Sequence, residues 1–131
     1  MKQILRNGIE ITDYQGTGFQ TMVQFGSWRI AMASPSDEQA GQPVTCLSRH
    51  LETDEVFVLL QGNCTLITGG CLDTVTDGTK IPMEPLKLYN VRKGTWHNRI
   101  LFPGSRVLIV ENAETGDFNS ETVTLSEVLE P

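Results

Sequence analysis

Cysteine is scarce, with three copies in 131 residues, at positions 46, 64 and 71. The number is odd, no C-x-x-C pair occurs and no zinc-knuckle spacing can be drawn. A disulfide framework is therefore not expected, and Cys46, Cys64 and Cys71 read as small buried hydrophobes. Positive charge is also in short supply: 10 basic against 16 acidic residues leave a net charge of -6, and no basic run is interleaved with aromatics. Such a chain repels phosphate backbones and anionic lipid heads, so neither nucleic acid nor a membrane surface is an expected partner. Nowhere do about eighteen apolar residues follow one another. The opening "MKQILRNGIEI" has no apolar stretch of signal-peptide length, and a cytoplasmic protein is expected. The glycines build no phosphate-binding loop, since "TGGCLDT" and "GSRVLIVEN" lack the required lysine and helix.

Helical periodicity is nearly absent too. Short apolar bursts and alternations mark strands over 19–25, 28–33, 44–51, 55–61, 64–68, 86–91, 95–102, 106–112 and 121–125. Turn signals separate them at Gly26-Ser27, Gly62-Asn63, Gly69-Gly70, Asp77-Gly78, Lys93-Gly94 and Pro103-Gly104. The polar stretch "SPSDEQAGQP", 34–43, is expected as a surface loop, and a single helical turn is expected near the end, where Ser126 could cap "EVLE". Many short strands at this spacing predict an all-β antiparallel sandwich or barrel, and the length suits a single domain over 1–131.

The polar residues within these strands are the informative ones. By the period of two, Ser48, His50 and Glu52 share one face of their strand and Leu47, Arg49 and Leu51 the other. The next strand is largely apolar on both faces, with Glu55, Phe57, Leu59 and Gln61 on one and Val56, Val58 and Leu60 on the other, so neither face is expected to meet water. In "GTWHNRILF", Thr95, His97, Arg99 and Leu101 line one side, and Trp96, Ile100 and Phe102, with Asn98, the other.

The stretch "HLETDEVFVLLQG", 50–62, followed by "GTWH", 94–97, resembles the two signature motifs of the cupin superfamily. Those motifs read G, five residues, H-x-H, three or four residues, E, six residues, G; then G, five residues, P-x-G, two residues, H, three residues, N. The second histidine falls on His50, the glutamate on Glu55, the closing glycine on Gly62, and the later glycine and histidine on Gly94 and His97. Ser48 stands at the first histidine, Gly41 lies one place from the leading glycine, Leu86 and Arg92 stand for the second motif's glycine and proline, and Leu101 stands for its asparagine. The resemblance covers about 41–112 and implies an antiparallel double-stranded β-helix, a jelly-roll barrel.

It also implies that His50, Glu55 and His97 meet inside the barrel. Two imidazoles and a carboxylate suit a divalent transition metal such as iron, manganese, nickel or zinc. With one family ligand replaced by Ser48, Glu52 is the candidate for a fourth ligand. The residues also allow the two histidines to be hydrogen-bonded in a polar pocket with no metal. Arg99 should share the cavity side with His97 and is expected to pair with a protein carboxylate such as Glu52, the other option being a carboxylate on a ligand. Phe57, Leu59 and Leu101 would line the remaining pocket. With both histidines claimed by the barrel, no nucleophilic triad can be assembled. The implied function is a metal-dependent enzyme acting on a small polar metabolite or, alternatively, a non-catalytic binding or sensing module with a degenerate metal site. If the histidines face inward, Trp96, Ile100 and Phe102 face outward and need a cover. Either the N-terminal strands, with Phe19, Phe25 and Trp28, or a second copy of the chain could provide it. Cupins commonly form homodimers, and a homodimer is expected.

Overall fold

A computed structural model describes residues 2–76 and 78–129. Its strands run in chain order as β1 (Lys2–Arg6), β2 (Ile9–Asp13), β3 (Gly18–Phe25), β4 (Trp28–Ser34), β5 (Val44–His50), β6 (Glu55–Gln61), β7 (Cys64–Gly70), β8 (Thr79–Pro82), β9 (Tyr89–Val91), β10 (Trp96–Leu101), β11 (Arg106–Asn112) and β12 (Ser120–Leu129). A single 3-10 turn, Asp117–Asn119, precedes β12. Strands β12-β5-β10-β7-β8 form one five-stranded sheet and β3-β4-β11-β6-β9 a second, and every pairing is antiparallel. This is the jelly-roll that the strand pattern and the motif resemblance imply. Among the described residues no helix is long and apolar enough to cross a membrane.

Side-chain alternation assembles the sandwich. Across the second sheet, Ala31, Ile109 and Phe57 form one cross-strand row and Ala33, Val107 and Leu59 another. All six are buried, and they pack against Cys64 and Leu66 of the facing sheet and against Met83. Gly62 closes the β6–β7 turn at φ 73°, where a Cβ would lie 2.7 Å from Ser105 Cα, so the motif glycine is required by both conformation and space.

The outward face of β10 is covered from within the chain. Trp96 and Ile100 are buried with Val44, Leu47 and Ile67, and Val75, Phe102, Val123 and Leu125 pack against them. Trp96 Nε1 donates to the Leu72 carbonyl at 2.9 Å, and Arg49 lies 4.5 Å from the centre of its ring. The β7–β8 loop and β12 therefore provide the cover for which the sequence offers the N-terminal strands or a second copy of the chain; Phe19, Phe25 and Trp28 are exposed.

Three strands fall outside the expected set. β1 and β2 join through Asn7 (φ 46°) and Gly8 (φ 82°), a two-residue turn whose positive angles suit a tight hairpin, and β8 pairs with β7 at an edge. The expected helical turn after Ser126 is instead strand, because β12 continues along β5 as far as Leu129 opposite Val44; Glu130 lies outside the described residues, as does Asp77 of the expected Asp77-Gly78 turn. All three cysteines are free; Cys64 is buried as expected, Cys46 half-buried, and Cys71 exposed where β7 gives way to its loop.

Candidate metal centre

His50 ends β5, Glu55 begins β6 and His97 follows the bulge near the start of β10. Each stands at a strand end or irregularity, and the inward-facing rows bring all three to one spot between the sheets. Glu55 Oε1 lies 2.8 Å from His97 Nε2 and 3.3 Å from His50 Nε2, and the two imidazole rings are 5.3 Å apart. One ligand atom from each of the three residues falls within 4.8 Å of the others, and the group could hold a metal ion.

The second ring nitrogens are engaged as well. His97 Nδ1 lies 2.9 Å from the Thr95 carbonyl, and His50 Nδ1 lies 2.8 Å from Ser120 Oγ. A carbonyl only accepts, so His97 Nδ1 carries the proton and donates. In the neutral ring, Nε2 then presents a lone pair to a carboxylate oxygen 2.8 Å away. Two acceptors at that distance call for a cation or a shared proton between them.

A fourth group completes the cluster. Glu111, on β11, extends the buried inward row of Val107 and Ile109, and its Oε2 is buried without a hydrogen-bond partner, 4.0 Å from His50 Nε2. Its Oε1 accepts from Arg29 Nη2 at 2.7 Å and Nε at 3.2 Å, an arginine that also reaches the carbonyls of Ala113 and Thr115. Burial raises the Glu111 pKa, the charge on Glu55 adds to the rise, and Arg29 offsets part of it. Burial likewise pushes the Glu55 carboxyl upward, but hydrogen bonds from His50 and His97 outweigh it and leave the net value lowered. The Glu55 hydrogen bond raises the His50 pKa; burial opposes it, and the charges of Glu55 and Glu111 reinforce it. Glu111 was readable in the sequence as a carboxylate ending an otherwise apolar alternating row, although no motif marks it.

Other expected site residues sit elsewhere. Glu52 is not in the cluster, because β5 stops at His50 and the alternation stops with it; its carboxylate accepts from Asn119 Nδ2 at 2.7 Å. Glu52 therefore does not pair with Arg99 either. Ser48 faces the recess, with its hydroxyl 2.8 Å from Thr122 Oγ1. Phe57 and Leu59 are fully enclosed in the core, with Phe57 6.2 Å from the His97 ring, while Leu101 is half-buried against that core.

The cluster floors a polar recess of about 290 Å³ lined by Phe19, Arg29, Arg99, Asp117 and Thr122 among others. A second recess of about 370 Å³ shares Phe19, Asn98 and Arg99 with it and continues past Gly18, Ala33, Pro35, Gln39 and Leu101. On the other side of His97 is an apolar recess of about 260 Å³, lined by Leu66, Ile81, Tyr89 and Val91.

No protein-family model matches the chain, and no curated protein matches it. Solved structures of the cupin fold do. A cupin-2 domain containing protein from Shewanella frigidimarina NCIMB 400 shares 16% identity over 76% of this chain and 84% of its own, with a TM-score of 0.55. KdgF from Halomonas sp. shares 16% over 81% and 90%, with a TM-score of 0.58. Pac13 from Streptomyces, described as a unique nucleoside dehydratase, shares 12% over 97% and 90%, with a TM-score of 0.57. At these identities the likeness is one of fold.

Proposed function

We propose that this cupin-fold chain is a metal-dependent enzyme acting on a small polar metabolite, with its site at His50, Glu55 and His97. The observation that carries the proposal is the confrontation of His97 Nε2 with Glu55 Oε1 at 2.8 Å while Nδ1 is committed to the Thr95 carbonyl. A cation among these atoms resolves it. A bound divalent ion supplies Lewis acidity toward an oxygen of the substrate. The chain supplies the rest. Thr95 and Ser120 fix the rings, Arg29 orients Glu111, and Glu111, with its raised pKa, can hold or release a proton at Oε2 beside a bound molecule. One of the similar structures, the nucleoside dehydratase Pac13, is consistent with small-molecule chemistry on this fold.

Elemental analysis tests this directly. Protein purified without added metal is expected to carry about one divalent transition-metal ion per chain, and His97→Ala is expected to lose it. Metal-free protein that cannot be loaded would instead favour a binding or sensing module. That reading draws on Ser48 being tied to Thr122 and on the histidines satisfying Glu55 by hydrogen bonds alone.

The active form is proposed to be a homodimer through the second sheet. Its outer face carries two apolar cross-strand rows, Met32-Leu108-Val58 and Ile30-Val110-Val56, all half-buried rather than enclosed. Light scattering at micromolar concentration should give the mass of two chains, and Leu108→Glu should give that of one. A wild-type monomer would end the dimer proposal.

A further inference from the structure

Arg99 is half-buried and faces the recess from β10. Among the described residues no carboxylate lies within salt-bridge distance of it and no group accepts a hydrogen bond from its guanidinium; only its backbone N donates, to Asn98 Oδ1. The guanidinium's one described partner is the Phe57 ring, 5.7 Å away. The titratable side chain beside it offers no charge, since burial pushes the Cys64 thiol up to about 11 and keeps it neutral. A guanidinium whose donors the fold leaves unmatched is available to an anion that enters the recess.

Its position adds to the chemistry. Arg99, with Phe19 and Asn98, lines both the recess over the metal cluster and the adjoining one. The adjoining recess has no other charged residue on its walls, only Gly18, Phe19, Ala33, Ser34, Pro35, Gln39, Asn98 and Leu101. A small molecule spanning the two would meet the cluster at one end and a single unmatched fork of donors at the other. A dianion is disfavoured there, because Glu55 and Glu111 stand in the same recess and the only other arginine on it, Arg29, is already bound to Glu111. A carboxylate carries one charge and fits the planar fork.

We propose that Arg99 is the anion-recognition group of this site and selects small metabolites bearing a carboxylate, whose opposite end reaches the His50, Glu55 and His97 cluster. The second half of that statement rests on the metal reading above; the first does not.

The test is isothermal titration of the full chain, loaded with zinc and again after EDTA and desalting, with 4-hydroxybutyrate, its amide and inorganic phosphate. The monoanion 4-hydroxybutyrate is expected to bind both forms, and its neutral amide at least about tenfold more weakly. Arg99→Gln is expected to weaken 4-hydroxybutyrate at least about tenfold in both forms without changing zinc stoichiometry, and Arg99→Lys to recover part of the loss. His97→Ala should lose zinc yet keep 4-hydroxybutyrate binding that depends on Arg99. If zinc binding fails while the Arg99 dependence persists, the metal reading falls and this one stands. Equal 4-hydroxybutyrate binding by wild type and Arg99→Gln, equal binding of the amide and the acid, or no 4-hydroxybutyrate binding would overturn it. Arg99-dependent phosphate binding tighter than that of 4-hydroxybutyrate would overturn the carboxylate assignment.

Discussion

The recess has a closed corner around Arg29 and an open one around Arg99. In the first, donors of the guanidinium are taken by Glu111 Oε1 and by two backbone carbonyls, and the arginine lies 5.4 Å from the centre of the Phe19 ring. In the second, the same functional group has only the Phe57 ring among the described residues. Burial alone does not separate them, since both are half-buried and line one recess. What separates them is matching. Arg29 neutralises a carboxylate of the fold, whereas Arg99 has charge left for something that is not part of the fold.

The largest expected effect follows from that difference. Arg29→Ala strands Glu111, whose side chain is 3% exposed, beside the ionised Glu55, and should cost about 3 kcal/mol in urea denaturation. Arg99→Ala loses only stem packing and a ring contact and should cost less than about 1 kcal/mol. Because the penalty is that of an orphaned charge, Arg29→Met combined with Glu111→Gln should recover most of the loss. Equal costs for the two single alanine variants would erase the distinction between the corners.

How much of this could be read from the sequence depends on what each residue's position rests on. The barrel was legible because strands and turns alternate at short range, and His50, Glu55, Gly62 and His97 were legible because they keep the spacing of a known pair of motifs. Arg29 and Glu111 lie on strands without a motif and meet only through the β4–β11 pairing, in which they are register partners. Glu52 was misplaced by carrying the period of two past the end of β5, where the chain turns and Leu51 N bonds to the Asn119 carbonyl. The Ser126 cap is a local preference overridden by edge pairing with β5. The Asn7-Gly8 hairpin had its signal in the sequence and needed no tertiary knowledge.

A smaller effect sharpens the contrast through pH. In metal-free protein held in EDTA, the raised His50 pKa means the fold favours the protonated ring. Its contribution is complete below the unfolded value near 6.5 and fades as the pH rises through the folded value. Glu55, whose pKa is lowered, acts only in acid: its contribution is present above the ordinary carboxylate value and is lost as the pH falls through the folded value. The raised Glu111 pKa has the opposite sense, its burial cost easing as the pH drops through the folded value. Above about pH 6 the two raised groups, His50 and Glu111, act with the same sign, and the melting temperature should fall by on the order of 2 °C with rising pH. His50→Gln should reduce the slope, and Arg99→Gln should leave it as in wild type, because the charges that act on His50 are Glu55, Glu111 and Arg29. A slope that changed with Arg99 would mean that the open corner is electrically joined to the closed one.

The smallest effect supplies the baseline against which both corners are judged. Leu86 stands where the second motif has glycine, and its backbone lies in the left-handed region that glycine favours, φ 67°, with a side chain 99% exposed. A leucine there carries the strain of the left-handed region and buries nothing in return. Leu86→Gly should relieve that strain, less the added freedom of glycine in the unfolded chain, for a net gain of about 0.5 kcal/mol. Leu86→Ala should be neutral, since alanine suffers the same backbone conflict. Neither change touches the recess, so the gap between Arg29→Ala and Arg99→Ala should be unaltered in the Leu86→Gly background, as independent sites require. A gap that shrank would show that the cost assigned to the stranded Glu111 is a general loss of stability and not a local charge left without its partner.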